Sequence, residues 1–168
     1  NCSKLTKVNY TGTIDQWAQI EFGNFDSNPT AYTKDLYIND ELVTEVNISS
    51  AEKISAYAFY NCQSITKVTI GESVTSIGYE AFSDCYSLAS VVIGNSVTSI
   101  GDSAFRYCYS LTSIEIGSGV TSIGDQAFYR CTSLTSIEIP NSVTSIGDSA
   151  FGYCSSLTSI EIGSGVTS

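Results

Sequence analysis

Cysteine stands at positions 62, 85, 108, 131 and 154, a step of 23 residues that never slips. Each copy sits in the frame AF-x-x-C-x-S-(L/I)-(T/A)-(S/K)-(I/V)-x-I. A chain that repeats at such a step builds a repeat solenoid, because one unit buries its apolar side only by stacking on its neighbours. Function is then expected on a surface rather than in a deep pocket.

Within one period Val97, Ile100, Ala104, Phe105, Cys108, Leu111, Ile114 and Ile116 are apolar, separated mainly by Ser, Thr, Gly and Asp. The stretch from Leu111 to Ile116 ends in period-two alternation with branched residues, which predicts a strand with Ile114 and Ile116 inward and Ser113 and Glu115 toward solvent. Val97 to Ile100 predicts a second, shorter strand ending at Gly101. Asp102 before Ser103, Ala104 and Phe105 predicts a capped helical turn. A coil therefore reads strand, turn, short strand, helical turn, and parallel coils place Phe59, Phe82, Phe105, Phe128 and Phe151 in one buried spine.

The register runs backward to a strand at Val46, Asn47 and Ile48. Cys2 to Val8 resembles half a repeat, but 60 residues separate Cys2 from Cys62, which is 14 more than two periods. The surplus predicts an insertion, with an amphipathic helix from Ile14 to Ile20 and a hairpin from Leu36 to Val43 turning at Asn39 and Asp40. Trp17 is expected to pack on the solenoid flank. The organisation expected is a partial first repeat over 1–10, an irregular repeat with helix and hairpin over 11–48, and regular repeats over 49–168, the last incomplete, all in one solenoid domain.

Composition removes several function classes. Histidine and methionine are absent, so the commonest general base and metal ligand are missing. Seventeen acidic against seven basic residues give a net charge of -10, which repels nucleic acid and anionic lipid. No 18-residue apolar run and no leader pattern is present, so direct membrane insertion is not expected. No Ser-His-Asp set, phosphate-cradling loop or nucleotide fingerprint exists, and an enzyme is not expected.

The repeat VTSIGDSAFxxCxSLTSIEI resembles the BspA-like, Treponema-type leucine-rich repeats of bacterial surface proteins. The segments NYTGTIDQWAQIEF and LYINDELVTEV are similar to the insertion found in gut-bacterial members. The resemblance implies a right-handed leucine-rich solenoid of short parallel strands with short helical or 3-10 turns, placed outside the cell at the bacterial surface. Some members adhere to host matrix proteins or other cells, and the family carries no catalytic residues.

Several columns of equivalent residues are candidates for chemistry. The cysteines read as packing residues, with disulfide pairing or metal binding as alternatives; parallel Cβ vectors disfavour the former and the absence of a ligand pattern the latter. Glu115, Glu138 and Glu161 share one outward strand position, as a solvated acidic face or as ligands for a hard cation. Asp102, Asp125 and Asp148 read as helix caps. Sequons begin at Asn1, Asn9 and Asn47.

The positions that vary between coils flank the cysteine, where Tyr86, Arg106, Tyr107, Tyr109, Tyr129, Arg130 and Tyr153 gather. Tyr and Arg dominate protein-binding hot spots. Arg106 and Arg130 are also the only basic residues after position 70. Either this flank is a contact surface, or its tyrosines shield the edge of the Phe spine. The function expected is a noncatalytic module binding protein or glycan, part of a surface adhesin, through this flank and the strand residues Ser113, Glu115, Ser136, Glu138 and Glu161. No cofactor is expected. The rival reading is a spacer whose uncapped coils stack end to end into fibres.

Overall fold

The computed structural model describes residues 4–168. Two columns of short parallel strands run through the regular coils. One comprises β4 (Glu45–Ile48), β5 (Lys67–Ile70), β7 (Ser90–Ile93) and β9 (Ser113–Glu115), followed by β11 (Ser136–Ile139) and β13 (Ser159–Ile162). The other comprises β6 (Ser76–Ile77), β8 (Ser99–Ile100), β10 (Ser122–Ile123) and β12 (Ser145–Ile146). Partners lie one period apart, as in Val68 with Val91 and Ile100 with Ile123. The chain is thus the expected solenoid of 23-residue coils.

Between the second strand and the cysteine, a run of β-turns replaces the expected helical turn. In the coil at Gly101 to Cys108, the N–H groups of Ala104, Arg106 and Cys108 close turns onto the carbonyls of Gly101, Ser103 and Phe105. Those of Ser103, Phe105 and Tyr107 point along the solenoid and donate to Asp125, Ala127 and Tyr129 of the next coil, at 2.8, 2.8 and 2.9 Å. A helix would use every N–H internally and leave that ladder unmade. Ser103 and Tyr107 accordingly take φ of 56° and 61°, as the third residue of a type II turn requires.

Apolar burial follows the coil pattern. The rings of Phe59, Phe82, Phe105 and Phe128 are fully buried, and successive centroids lie 5.0, 5.3 and 5.5 Å apart, nearly parallel. Phe151 continues the stack at 5.4 Å. The threonines of the repeat join coils twice: Thr98, Thr121 and Thr144 each donate both N–H and Oγ1–H to the equivalent carbonyl of the preceding coil. The glycines recur for want of space rather than for turn conformation, since none has positive φ. A Cβ on Gly101 would lie 2.8 Å from the backbone of Gly78 and Ile77.

At the N-terminal end, β1 (Val8–Tyr10) pairs in parallel with β2 (Leu36–Ile38), which forms a hairpin with β3 (Glu41–Leu42). Asn39 and Asp40 turn that hairpin with φ of 50° and 68°, the signature of a type I′ turn. Between β1 and β2 lie α1 (Ile14–Ala18), a 3-10 turn (Phe25–Ser27) and α2 (Thr30–Thr33). Thr13 caps α1 in a capping box with Gln16. Trp17 is buried and its indole N–H donates to the Ala58 carbonyl at 2.7 Å, which pins the helix to the first regular coil.

Asp15 makes a second tie. Its Oδ1 accepts the N–H groups of Ser49, Ser50 and Ala51 at 2.9, 2.7 and 2.8 Å. Partial burial pushes this carboxyl up, but the bonds from Ser50, Ala51 and Ser49 outweigh it and leave it below its ordinary value. A depressed folded value stabilises the fold above the unfolded carboxyl range near about pH 4, and the contribution fades as pH falls toward the folded value. Asp15→Asn is expected to cost about 1 to 3 kcal/mol at neutral pH, and urea midpoints of the two proteins should converge as the medium is acidified. Phe105→Ala should cost about 3 to 5 kcal/mol in the same assay.

Candidate functional surface

The side chains singled out around the cysteines form a strip along the solenoid. Tyr86 and Tyr109 meet at 5.1 Å between centroids, Tyr109 and Tyr107 at 5.9 Å, Tyr107 and Tyr129 at 6.1 Å, and Tyr129 and Tyr153 at 5.2 Å. Arg106 lies over the rings of Tyr107 and Tyr129 at 4.4 and 5.5 Å, and Arg130 over Tyr129 and Tyr153 at 5.8 and 5.0 Å. Arg106 is half-buried and donates from Nη2 to the Tyr107 hydroxyl, so it organises the strip, whereas Arg130 is exposed. Tyr86, Tyr109 and Tyr153 are 38%, 37% and 67% exposed.

The backbone sets how these side chains project. Tyr107, Arg130 and Tyr153 all sit in the left-handed region, at φ of 61°, 61° and 59°. In the two preceding coils the same position holds Asn61 and Asp84, residues that tolerate this conformation. Tyr and Arg adopt it at a cost of about 1 kcal/mol or more each. The Tyr86 hydroxyl donates to Asp84 at 2.9 Å, and its pKa is pushed up to about 12, first by burial and then by that bond and the Asp84 charge.

A second aromatic group lies toward the N-terminal end and meets the strip through Asp84, to which Tyr60 and Tyr86 both hydrogen-bond. Phe25 touches Tyr60 at 5.7 Å, Tyr60 meets Tyr57 at 6.2 Å, and Tyr57 meets Tyr79 at 5.4 Å. Tyr79 and Phe25 are 44% and 45% exposed. Tyr79 stands where later coils carry Asp102 and Asp125, and Tyr57 where they carry Ser103 and Gln126. Aromatic residues at those two coil positions were a readable signal.

The strand-face candidates Ser113, Glu115, Ser136, Glu138 and Glu161 are exposed and form a separate column. Glu138 and Glu161 are direct partners, but no ladder joins β9 to β11, so the carboxylate column breaks between Glu115 and Glu138. Among the described residues no group of three or more acidic, cysteine or histidine side chains is arranged to hold a metal ion.

The aspartates cap no helix. Asp102 Oδ1 accepts the N–H of Asp125 at 2.9 Å, and Asp125 Oδ1 that of Asp148 at 2.7 Å, so these two aspartates each cap the next coil's backbone. The helix that would have used the cap does not form, and the nearest free donor is one period away. Of the sequons, Asn9 exchanges hydrogen bonds with Asp40 and Asn47 is exposed on β4, while Asn1 lies outside the described residues, as does Cys2.

Cys62, Cys85, Cys108, Cys131 and Cys154 are free and buried. From the second onward, each Sγ donates to the carbonyl of the phenylalanine one coil back, as Cys108 does to Phe82 at 3.3 Å. Burial pushes the Cys62 thiol up to about 12 and those of Cys85 and Cys108 well above the ordinary range. A thiolate is the reactive form, so in the folded chain a disulfide-exchange reagent at pH 8 should leave these five thiols almost unreacted. All cysteines should titrate once urea unfolds the chain.

The coil geometry, the stacked Phe and Cys columns and the leucine at the head of the strand segment define a leucine-rich-repeat solenoid. The description of a BspA type leucine rich repeat region matches residues 52–168 in 6 copies, and the chain belongs to that family. A leucine-rich repeat protein of T. pallidum is 33% identical, with TM-score 0.68, over 70% of this chain and 57% of that one. One from Bacteroides ovatus is 36% identical, TM-score 0.66, over 70% and 33% of the two chains. A leucine rich cell surface protein from Faecalibacterium prausnitzii is 35% identical, TM-score 0.53, over 73% and 39%. The chain thus spans 33% to 57% of the length of these relatives. No curated protein matches it.

Proposed function

We propose that this chain is a noncatalytic binding module of a bacterial cell-surface protein, and that it engages a protein or glycan outside the cell, host matrix components among them, through the Tyr and Arg strip. The observation that carries the reading is the assembly of residues from the variable positions of successive coils into one partly exposed, cation–π-linked surface. Three of them place Tyr or Arg at a left-handed turn position where the first two coils carry Asp or Asn, a choice that backbone preference alone does not favour. The F. prausnitzii relative, a cell surface protein, supports the location. A broad face spread over several coils suits a macromolecular partner better than a small molecule.

The test is a binding screen of the folded chain against matrix proteins and glycans, followed by the triple change Tyr107→Asn, Tyr109→Ser and Arg130→Asn. Those replacements copy the residue types at the same positions of Asn61 and Ser155 in other coils, so the fold should be kept. Affinity for a captured partner is expected to fall at least about tenfold, as loss of hot-spot side chains does. Unchanged affinity with an unchanged circular dichroism spectrum overturns the strip as the contact surface.

A further inference from the structure

Four of the five coils close the first strand with glycine, at positions 71, 94, 117 and 163, and the remaining one has Pro140 there. A Cβ on Gly71, Gly94 or Gly117 would lie 2.8, 2.8 or 2.4 Å from backbone oxygen of the preceding coil, so the stack leaves no room for a side chain. The N–H groups of Gly71, Gly94 and Gly163 each donate to the isoleucine carbonyl one coil back, at 2.8 Å. Proline has no N–H to give to the Ile116 carbonyl, and its ring occupies the space that the other coils keep empty.

The strand column is parted at this point. No ladder joins β9 to β11, although β8, β10 and β12 pair without interruption on the other side of the same coils. The opening is a cleft of about 200 Å³ lined by Ile114, Glu115, Ile116, Glu138 and Pro140. Ile114 and Ile116 are only partly buried there, whereas Val91 and Ile93, their counterparts one coil earlier, are 0% and 3% exposed. The cleft lies below the roughly 300 to 1,000 Å³ of small-molecule sites, a size that suits one long side chain.

We propose that this cleft receives an arginine side chain of a partner protein. The apolar walls of Ile114, Ile116 and Pro140 fit the aliphatic stem. The carboxylates of Glu115 and Glu138 at the rim, with no ion pair of their own among the described residues, match its charge, and the Ile116 carbonyl offers an acceptor at the same opening. A guanidinium carries five donors in a fixed fork and so can serve carboxylates and a carbonyl together, which an ammonium does less well. Pro140 acts as the wedge that holds the site open.

Titration of the 15N-labelled chain with the peptide Ac-Gly-Arg-Gly-NH2 tests this, with the citrulline and lysine peptides as comparisons. Saturable shifts centred on Ile114, Ile116 and Glu138 are expected, with a Kd of about 1 mM. The lysine peptide should bind several-fold more weakly and the neutral citrulline peptide not detectably. P140G restores a donor to the Ile116 carbonyl and should close the cleft: the arginine peptide is lost at least tenfold while the urea midpoint stays level or rises. Glu138→Gln should weaken binding several-fold without closing anything.

Hydrogen exchange reads the cleft without a ligand, as the Glu138 amide should exchange rapidly in the parent chain and gain protection in P140G. A protected Glu138 amide in the parent, an unaffected peptide affinity in P140G, or equal binding of citrulline each overturns the proposal. The Tyr107, Tyr109 and Arg130 triple variant should bind the peptide as the parent does, which keeps this site separable from the Tyr and Arg strip.

Discussion

Everything in this molecule follows from the close approach of successive backbones, held by hydrogen bonds that cross from one coil to the next. The first strands, the second strands and the turn segment all donate across the coil boundary. With three ladders per coil, any residue that keeps backbones apart or removes a donor is felt locally. The recurring glycines avoid the first fault. The threonine hydroxyls, aspartate carboxylates and cysteine thiols add side-chain bonds in the same direction. Pro140 commits both faults in one coil, and there the strand column opens.

Since each interior column is filled by the same or a closely similar apolar side chain in every regular coil, the wide differences are confined to outward positions. The stacked Phe rings and buried thiols leave the core chemically inert. Differences therefore collect in two places: the turns beside the cysteines, where Tyr and Arg assemble, and the strand face at the break. Both are shallow, and both suit a partner that brings its own side chains to the surface.

The solenoid, its register, the two strands per coil, the Phe spine, α1 and the hairpin were legible because each rests on local periodicity or turn chemistry. The local sequence predicts a helical turn, and the reason that none forms lies outside that sequence. Asp102 to Phe105 has a helix-start pattern, but the N–H groups of Ser103 and Phe105 find better-placed acceptors on Asp125 and Ala127. The same long-range competition turned the aspartates from helix caps into rungs between coils. The Tyr and Arg cluster was legible from coil alignment, and Tyr57, Tyr60 and Tyr79 were readable in the same way, whereas Phe25 joins them only because the insertion folds against the first coil.

By itself the sequence determined that this chain stacks 23-residue coils around a Phe and Cys interior, since period and polarity pattern alone dictate which side chains must be shared between neighbours. Only the tertiary structure decided how the coils touch: which N–H groups point along the axis, where Tyr107, Arg130 and Tyr153 are driven into left-handed conformations, and where proline parts the stack. Those outcomes depend on atoms one coil away in sequence and within hydrogen-bonding distance in space, and a pattern read along the chain does not contain that distance.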